Sequence, residues 1–339
     1  MQPEGHPPIA DAKVGVLTVN LGSPDAPEAA AVKRYLKEFL SDPRVVEIPA
    51  LLWQPILRGI ILNTRPAKSA ALYASIWDRA RGDSPLRVIT ADQAAGLQAA
   101  LPDVTVDFAM RYGNPSIPDR LDALRAAGCT RILMMPLYPQ YSAATTATVV
   151  DKVGASLKAM RWQPAVRFLP PYHDDPLYIS ARAEDAGAAL AALDFEPDVL
   201  VASFHGMPER TLRLGDPYHC QAQKTARLLR KALGRDEAGF RTAFQSRFGR
   251  AEWLKPYLDR TLEALPGEGV RKVAVIAPGF SADCIETLEE IAIRGREMFL
   301  HAGGTHFACL RCLNAGPAGM RMLTGLAQRE LAGWRESGH

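Results

Sequence analysis

Short, β-rich apolar runs alternate with helical patterns along the whole 339-residue chain, and nothing else in the sequence restricts the fold as tightly. Strands separated by helical crossovers must pair in parallel, so the pattern calls for α/β architecture. Val14 to Val19 reads as a strand ending at the turn Asn20-Leu21-Gly22-Ser23-Pro24, and Ala29 to Phe39 as a helix. Val104 to Met110 and Arg131 to Leu137 read as further strands, with a helix over Ser116 to Ala127 between them. The pattern then restarts. Strands are expected at Asp198 to Phe204, Arg241 to Ser246, Lys272 to Ala277 and Thr305 to Cys309. Helices are expected at Tyr178 to Leu193, Cys220 to Ala232, from about Ala282, and from Gly316 to Ala332. Two comparable halves follow, with the crossover near 160–175, where Trp162, Pro164, Pro170 and Pro171 fall. Open parallel sheets bind ligands beyond the carboxyl ends of their strands. Asn20, Arg111, Tyr112, Tyr138, Tyr141, His205 and Gln245 gather at those ends, which predicts a cleft between the halves.

Composition narrows the functional classes. Lys plus Arg is 40 against 37 Asp plus Glu, a formal charge of +3, so no global basic excess points to nucleic acid. No apolar run reaches the ~18 residues of a spanning helix. The segment Met1 to Pro8 lacks a basic flank before an apolar run, so a secretory signal is not expected. Five cysteines (Cys129, Cys220, Cys284, Cys309, Cys312) are expected to be reduced thiols in a cytosol. Neither a dinucleotide fingerprint nor a P-loop is present, and Ser203 lacks the Gly-x-Ser-x-Gly context of a hydrolase. Cys309-Leu310-Arg311-Cys312 is a lone C-x-x-C without a second pair.

Three motifs carry chemistry. In Ser203-Phe204-His205-Gly206-Met207-Pro208 a strand delivers a histidine into a turn. His205 either satisfies backbone groups there or offers a neutral imidazole to the cleft as a proton acceptor. In Phe280 to Glu290 the carboxylates Asp283, Glu286 and Glu290 are spaced to line one helix face. That face is either solvated, with Asp283 as a helix cap, or a row of proton acceptors and a path for a hard cation. The segment 48–62 is apolar nearly all round, which fits a buried helix, a lip around a greasy ligand or a shallow membrane contact.

These residues resemble the ferrochelatase family, which inserts ferrous iron into a porphyrin in haem synthesis. The resemblance runs from about Val14 to Leu331. Its first-half motifs are Val19 to Pro24, Arg65-Pro66-Ala67-Lys68 with Tyr73, Gly82 to Pro85, Met110 to Gly113 and Tyr138 to Ser142. Those of the second half are Ser203 to Pro208, Gly215 to Tyr218, Phe244 to Gly249 with Trp253-Leu254, and Ser281 to Glu290. The resemblance implies the chelatase fold: two Rossmann-like domains, parallel sheets flanked by helices, with the macrocycle between them. The expected N-terminal domain is 10–165 with the lip at 48–62, completed by the C-terminal helix 316–335. The expected C-terminal domain is 166–315.

The resemblance also implies roles. His205 and Glu286 would be catalytic and meet the metal on either side of the ring, with Asp283 and Glu290 as a conduit for protons or iron. Leu21, Tyr73, Tyr138, Trp253 and Phe280 would grip the ring, joined by Tyr112. Arg65, Arg111 and Ser84 would meet its propionates. Porphyrin and Fe²⁺ are the expected partners, both as substrates, and no cofactor is required. Cys284 stands where some relatives carry histidine, and Ala143-Ala144 where cluster-bearing animal relatives carry cysteine. An animal-type iron–sulfur cluster is therefore not expected, and a cluster on Cys220, Cys309 and Cys312 is the alternative. Other readings are a coproporphyrin chelatase, a cobalt chelatase acting on an earlier tetrapyrrole, and a carrier without chemistry. The expected location is cytoplasmic, with 48–62 as a peripheral contact at the inner membrane face; the oligomeric state is left open.

Overall fold

The computed structural model describes residues 4–6, 12–249 and 251–334. The ends of the expected domains at 10–11 and 335, and most of Met1 to Pro8, lie outside the described residues. In chain order the first half contains β1 (Lys13–Gly22), α1 (Ala29–Ser41), α2 (Ala50–Ile56), α3 (Leu62–Ile76), α4 (Pro85–Ala100), β2 (Thr105–Tyr112), α5 (Ile117–Ala126), β3 (Cys129–Pro136), α6 (Thr148–Ala159) and β4 (Ala165–Phe168). The second half contains α7 (Pro176–Ala191), β5 (Val199–His205), α8 (Glu209–Arg213), α9 (Tyr218–Ala232), β6 (Phe240–Gln245), α10 (Leu258–Ala264) and β7 (Lys272–Ile276). A π-helix over Glu286–Gly295 then runs into α11 (Arg296–His301), followed by β8 (His306–Cys309) and α12 (Pro317–Glu330).

The strands form two four-stranded sheets, ordered β2-β1-β3-β4 and β6-β5-β7-β8, and all named pairs are parallel. The apolar runs read as strands because they are buried on both faces, as a sheet sandwiched between helices requires. In the first sheet Leu17, Val19, Ala109 and Met134 pack on Leu121 and Val153. On its other face, Val16, Leu133 and Met135 pack on Leu97, Met322 and Leu326. The second sheet repeats this arrangement. Leu200, Ala202 and Phe204 face Ala222 and Leu229, whereas Val199, Val201 and Ala243 face Leu262, Ile291 and Phe299.

Four departures from the sequence expectation have physical causes. β1 and β2 run to Gly22 and Tyr112, because those residues pair in register. Gly22 has φ +114°, and a Cβ there would lie 1.9 Å from the Tyr112 carbonyl oxygen, so only glycine allows this approach. β4 lies inside the expected crossover and pairs with β3, which moves the break between halves past Phe168. The helix expected from Ala282 starts only at Ile285, because Asp283 ties 281–284 to another loop. The segment 48–62 is not a buried helix: Leu51 is 91% exposed, Leu52 64% and Ile60 57%. Only Leu57 and Leu62 are fully buried, and Trp53 is half-buried with its Nε1 donating to the Leu40 carbonyl at 2.6 Å.

Candidate active site

One apolar cavity joins the two halves at the carboxyl ends of their central strands, β1 and β5. Its wall from the first half includes Leu21, Tyr35, Tyr73, Ser84 and Tyr138. The second half contributes His205, Trp253, Phe280 and Glu286. His205 and Glu286 therefore share one cavity, although the chain separates them by two strands and three α-helices. Leu21, Tyr73, Tyr138, Trp253 and Phe280 all line it, as does Ser84.

His205 is the last residue of β5 and sits beside Gln245, the last of β6. Gly206 turns the chain there, and a Cβ on it would lie 2.6 Å from the Gln245 carbonyl oxygen. Nδ1 of His205 is 2.7 Å from the Gly206 carbonyl oxygen. A carbonyl only accepts, so Nδ1 carries the hydrogen, which in the neutral imidazole leaves the Nε2 lone pair free. Glu286 opens the π-helix, and its carbonyl oxygen accepts a 3.2 Å bond from Gln245 Nε2.

Glu290, four residues on, does not line this cavity. It borders a second hollow of about 440 Å³ beyond Phe248 and Trp253, two residues common to both walls. Its carboxylate accepts from Ser246 N at 2.7 Å and Ser246 Oγ at 2.5 Å. Burial pushes this carboxyl above the ordinary carboxylate range, against the pull of the Ser246 bonds and the nearby His205. Arg294 stands at the outer end of the row, 4.0 Å from Glu290 and 2.9 Å from the buried Glu289.

Four expected site residues lie elsewhere. Asp283 is 2% exposed, and its carboxylate accepts from Cys312 N at 3.1 Å, Thr287 Oγ1 at 3.2 Å and Asn314 Nδ2 at 2.8 Å. It anchors a loop and is not part of the row. Arg111 is buried in an ion pair with Asp42 and donates from Nε to the Thr148 carbonyl at 2.8 Å, so its charge is already matched. Tyr112 donates its hydroxyl to the same Asp42 at 2.9 Å and is absent from the cavity wall. Arg65 is exposed on α3, outside the cavity. Ser84 reaches the wall, but its hydroxyl caps α4 by accepting from Arg87 N at 3.3 Å and also bonds Ser23.

The sequence reading missed Tyr35, Asp42, Ser246 and Arg294. Asp42 and Ser246 had no local signal. Arg294 did: an acid and a base four apart on a helix face pair readily. Among the described residues none that lines the cavity is Lys or Arg. Two wall donors, Tyr138 Oη and Trp253 Nε1, are buried without a hydrogen-bond partner.

The cysteines are not gathered at one place. Cys220 is exposed on α9, which covers one face of the second sheet, whereas Cys309 and Cys312 pack on the other. Burial pushes the Cys309 thiol up to about 12 and the Cys284 and Cys312 thiols well above the ordinary range. Among the described residues no three His, Cys, Asp or Glu side chains come together as a metal-holding group.

Residues 13–331 match the family model "Ferrochelatase". The chain belongs to the ferrochelatase family. Its relatives include the Ferrochelatase of Agrobacterium fabrum, 54% identical over 335 residues, covering 98% of this chain and 97% of that one. The Ferrochelatase of Rhizobium meliloti is 55% identical over 332 residues, covering 97% and 98%. Membership makes the chain an enzyme of the lyase class, acting in haem biosynthesis. The fold is also that of SirB from Bacillus subtilis with Fe³⁺, at TM-score 0.56 and 12% identity, covering 94% of this chain and 96% of that one. A second SirB structure, a sirohydrochlorin chelatase in complex with cobalt, gives TM-score 0.53 at 10% identity, covering 94% and 95%. Both place the chain in the two-domain chelatase fold.

Proposed function

We propose that this chain inserts Fe²⁺ into protoporphyrin IX, releasing two protons to give protohaem. The observation that carries the reading is the single apolar cavity with His205 and Glu286 in its wall. A free-base porphyrin holds two pyrrole N–H protons in a flat ring whose nitrogen lone pairs point inward. A wall that saddles the ring tilts those lone pairs outward, at a strain of ~1–5 kcal/mol drawn from contacts elsewhere on the macrocycle. Leu21, Tyr73, Tyr138, Trp253 and Phe280 supply the apolar grip. Tyr138 Oη and Trp253 Nε1 gain a partner on a bound ring.

His205 and Glu286 serve opposite faces of the ring. The neutral Nε2 of His205 meets the metal on one face. Glu286 takes pyrrole protons on the other, where a placed base contributes ~10²–10⁴-fold. The protons pass to Glu290 and out through the second hollow. Arg294 favours protons over iron as the cargo of this row, since it closes the outer end in pairs with Glu289 and Glu290 that a passing dication would have to displace.

The wall also favours protoporphyrin over coproporphyrin. Two propionates on one edge of the ring can stay in water. Four would push at least one carboxylate into a wall whose described residues include no Lys or Arg, and an unpaired buried ion costs several kcal/mol. The first half, 12–169 with α12 packed on it, and the second, 170–315, act as the two jaws.

We further propose that 48–62 rests on an anionic bilayer at the inner membrane face. Leu51, Leu52, Ile56 and Ile60 are exposed there. Residues 48–77 contain Arg58, Arg65 and Lys68 but no Asp or Glu. No described helix is long and apolar enough to cross a membrane.

Anaerobic mixing of the enzyme with Fe²⁺ and either porphyrin, followed by absorption, tests the reaction. Many turnovers with protoporphyrin, few with coproporphyrin and none with His205→Ala are expected. A stoichiometric spectral shift without turnover would replace the enzyme with a carrier.

A further inference from the structure

We infer that Gln245, with Ser203 behind it, is a positioning residue that fixes the spacing between His205 and Glu286; this rests on the reaction proposed above. Strand alternation puts Ser203 and His205 on one face of β5, the face on which Val199 and Val201 pack against Ile291 of the π-helix. Gln245 is paired with His205 in register and lies on the same face of β6, following Ala243. The apolar ladder beneath the π-helix thus ends in three polar side chains at its carboxyl edge.

Gln245 uses both ends of its amide. Its Oε1 accepts from Ser203 Oγ at 2.6 Å, and its Nε2 donates to the Glu286 carbonyl oxygen at 3.2 Å. Its backbone carbonyl meanwhile accepts from Gly206 N at 2.7 Å, next to the imidazole. One residue therefore holds the backbone just after His205 and the backbone at Glu286. Gln245 is 3% exposed and Ser203 0%, so water does not compete for these bonds. Ser203 accounts for the amide's orientation: its hydroxyl takes the oxygen end and leaves the nitrogen end for Glu286. The first residue of the π-helix is where such a tether acts most directly, because the loop before it, 281–284, is irregular.

The tether matters because the His205 imidazole and the Glu286 carboxylate must both reach the centre of the same ring. A misplacement of about 1 Å can cost ~10²-fold in rate without weakening substrate binding. Gln245→Leu keeps the side-chain volume and removes both bonds. Gln245→Glu keeps an acceptor for Ser203 but turns the donor end into a second acceptor facing the Glu286 carbonyl. Ser203→Ala removes the orienting bond alone.

The experiment measures anaerobic kcat and porphyrin KM, with thermal midpoint, for these variants, the Ser203→Ala/Gln245→Leu double variant and His205→Ala. Gln245→Leu and Gln245→Glu are expected to lose roughly 10- to 100-fold in kcat with KM changed less than about threefold. Ser203→Ala should lose less, and the double variant should match Gln245→Leu alone, since Ser203 acts only through the amide. Unchanged kcat in folded Gln245→Leu overturns the inference, as does a KM rise with kcat intact. Activity retained in His205→Ala would instead overturn the reading of the site itself.

Discussion

Arg111→Met separates a structural guanidinium from a substrate-binding one. Arg111 and Asp42 side chains are each 9% exposed, and they face one another across 69 residues of sequence. Removing the cation strands Asp42, which keeps bonds only from the Tyr112 hydroxyl at 2.9 Å and Arg44 N at 2.9 Å. Breaking a buried pair from one side costs about 3–5 kcal/mol. The two remaining donors put Arg111→Met near the lower end, about 3 kcal/mol. Adding Asp42→Asn removes the stranded charge, so the double variant should recover most of that loss. Urea unfolding of the four proteins in the cycle gives the coupling energy, and steady-state assays give porphyrin KM. The structure predicts a large midpoint shift, strong non-additivity and a KM within about twofold of the parent. A KM rise of tenfold or more, about 1.4 kcal/mol of binding, with an unmoved midpoint would show that Arg111 reaches a propionate and refute its assignment to the ion pair.

Three further outcomes are expected. Leu51→Asp/Leu52→Asp should weaken sedimentation with anionic vesicles ~100-fold or more, at ~1.5–3 kcal/mol per buried leucine, while insertion in detergent is unchanged; equal binding by both proteins would remove the lip from the membrane. Glu290 passes protons only when ionised, and burial raises its pKa above the ordinary 4.5, so kcat should rise with pH through that raised value. In Glu290→Gln this limb should vanish and the plateau fall, and an unaltered pH profile would take Glu290 out of the proton path. Arg294→Gln should leave the KM for Fe²⁺ unchanged, whereas a marked fall would mean that iron travels along the row.

The strand ends, and the placing of His205 and Glu286 at them, were legible in the sequence because each is a local fact. A β-rich run that stops at Asn20 or His205 marks a sheet's carboxyl edge wherever the chain later goes. The apolar wall residues were legible through the motifs that contain them. Arg111 and Tyr112 were not, because what fixes them is Asp42, a distant carboxylate with nothing nearby to announce it. Asp283 misled for the opposite reason. Its spacing from Glu286 and Glu290 suits a helix face, but Asn314 and Cys312 compete for its carboxylate and delay the helix. Helical periodicity also could not distinguish the exposed lip from a buried helix, since a segment apolar on all sides reads alike in both.

A crystal structure of the enzyme soaked with protoporphyrin under anaerobic conditions tests the central claim most directly. The ring should lie in the cavity shared by both halves, its four nitrogens flanked by the His205 imidazole on one face and the Glu286 carboxylate on the other. A ring seated in the hollow beside Glu290, or one with both groups on the same face, would contradict the account.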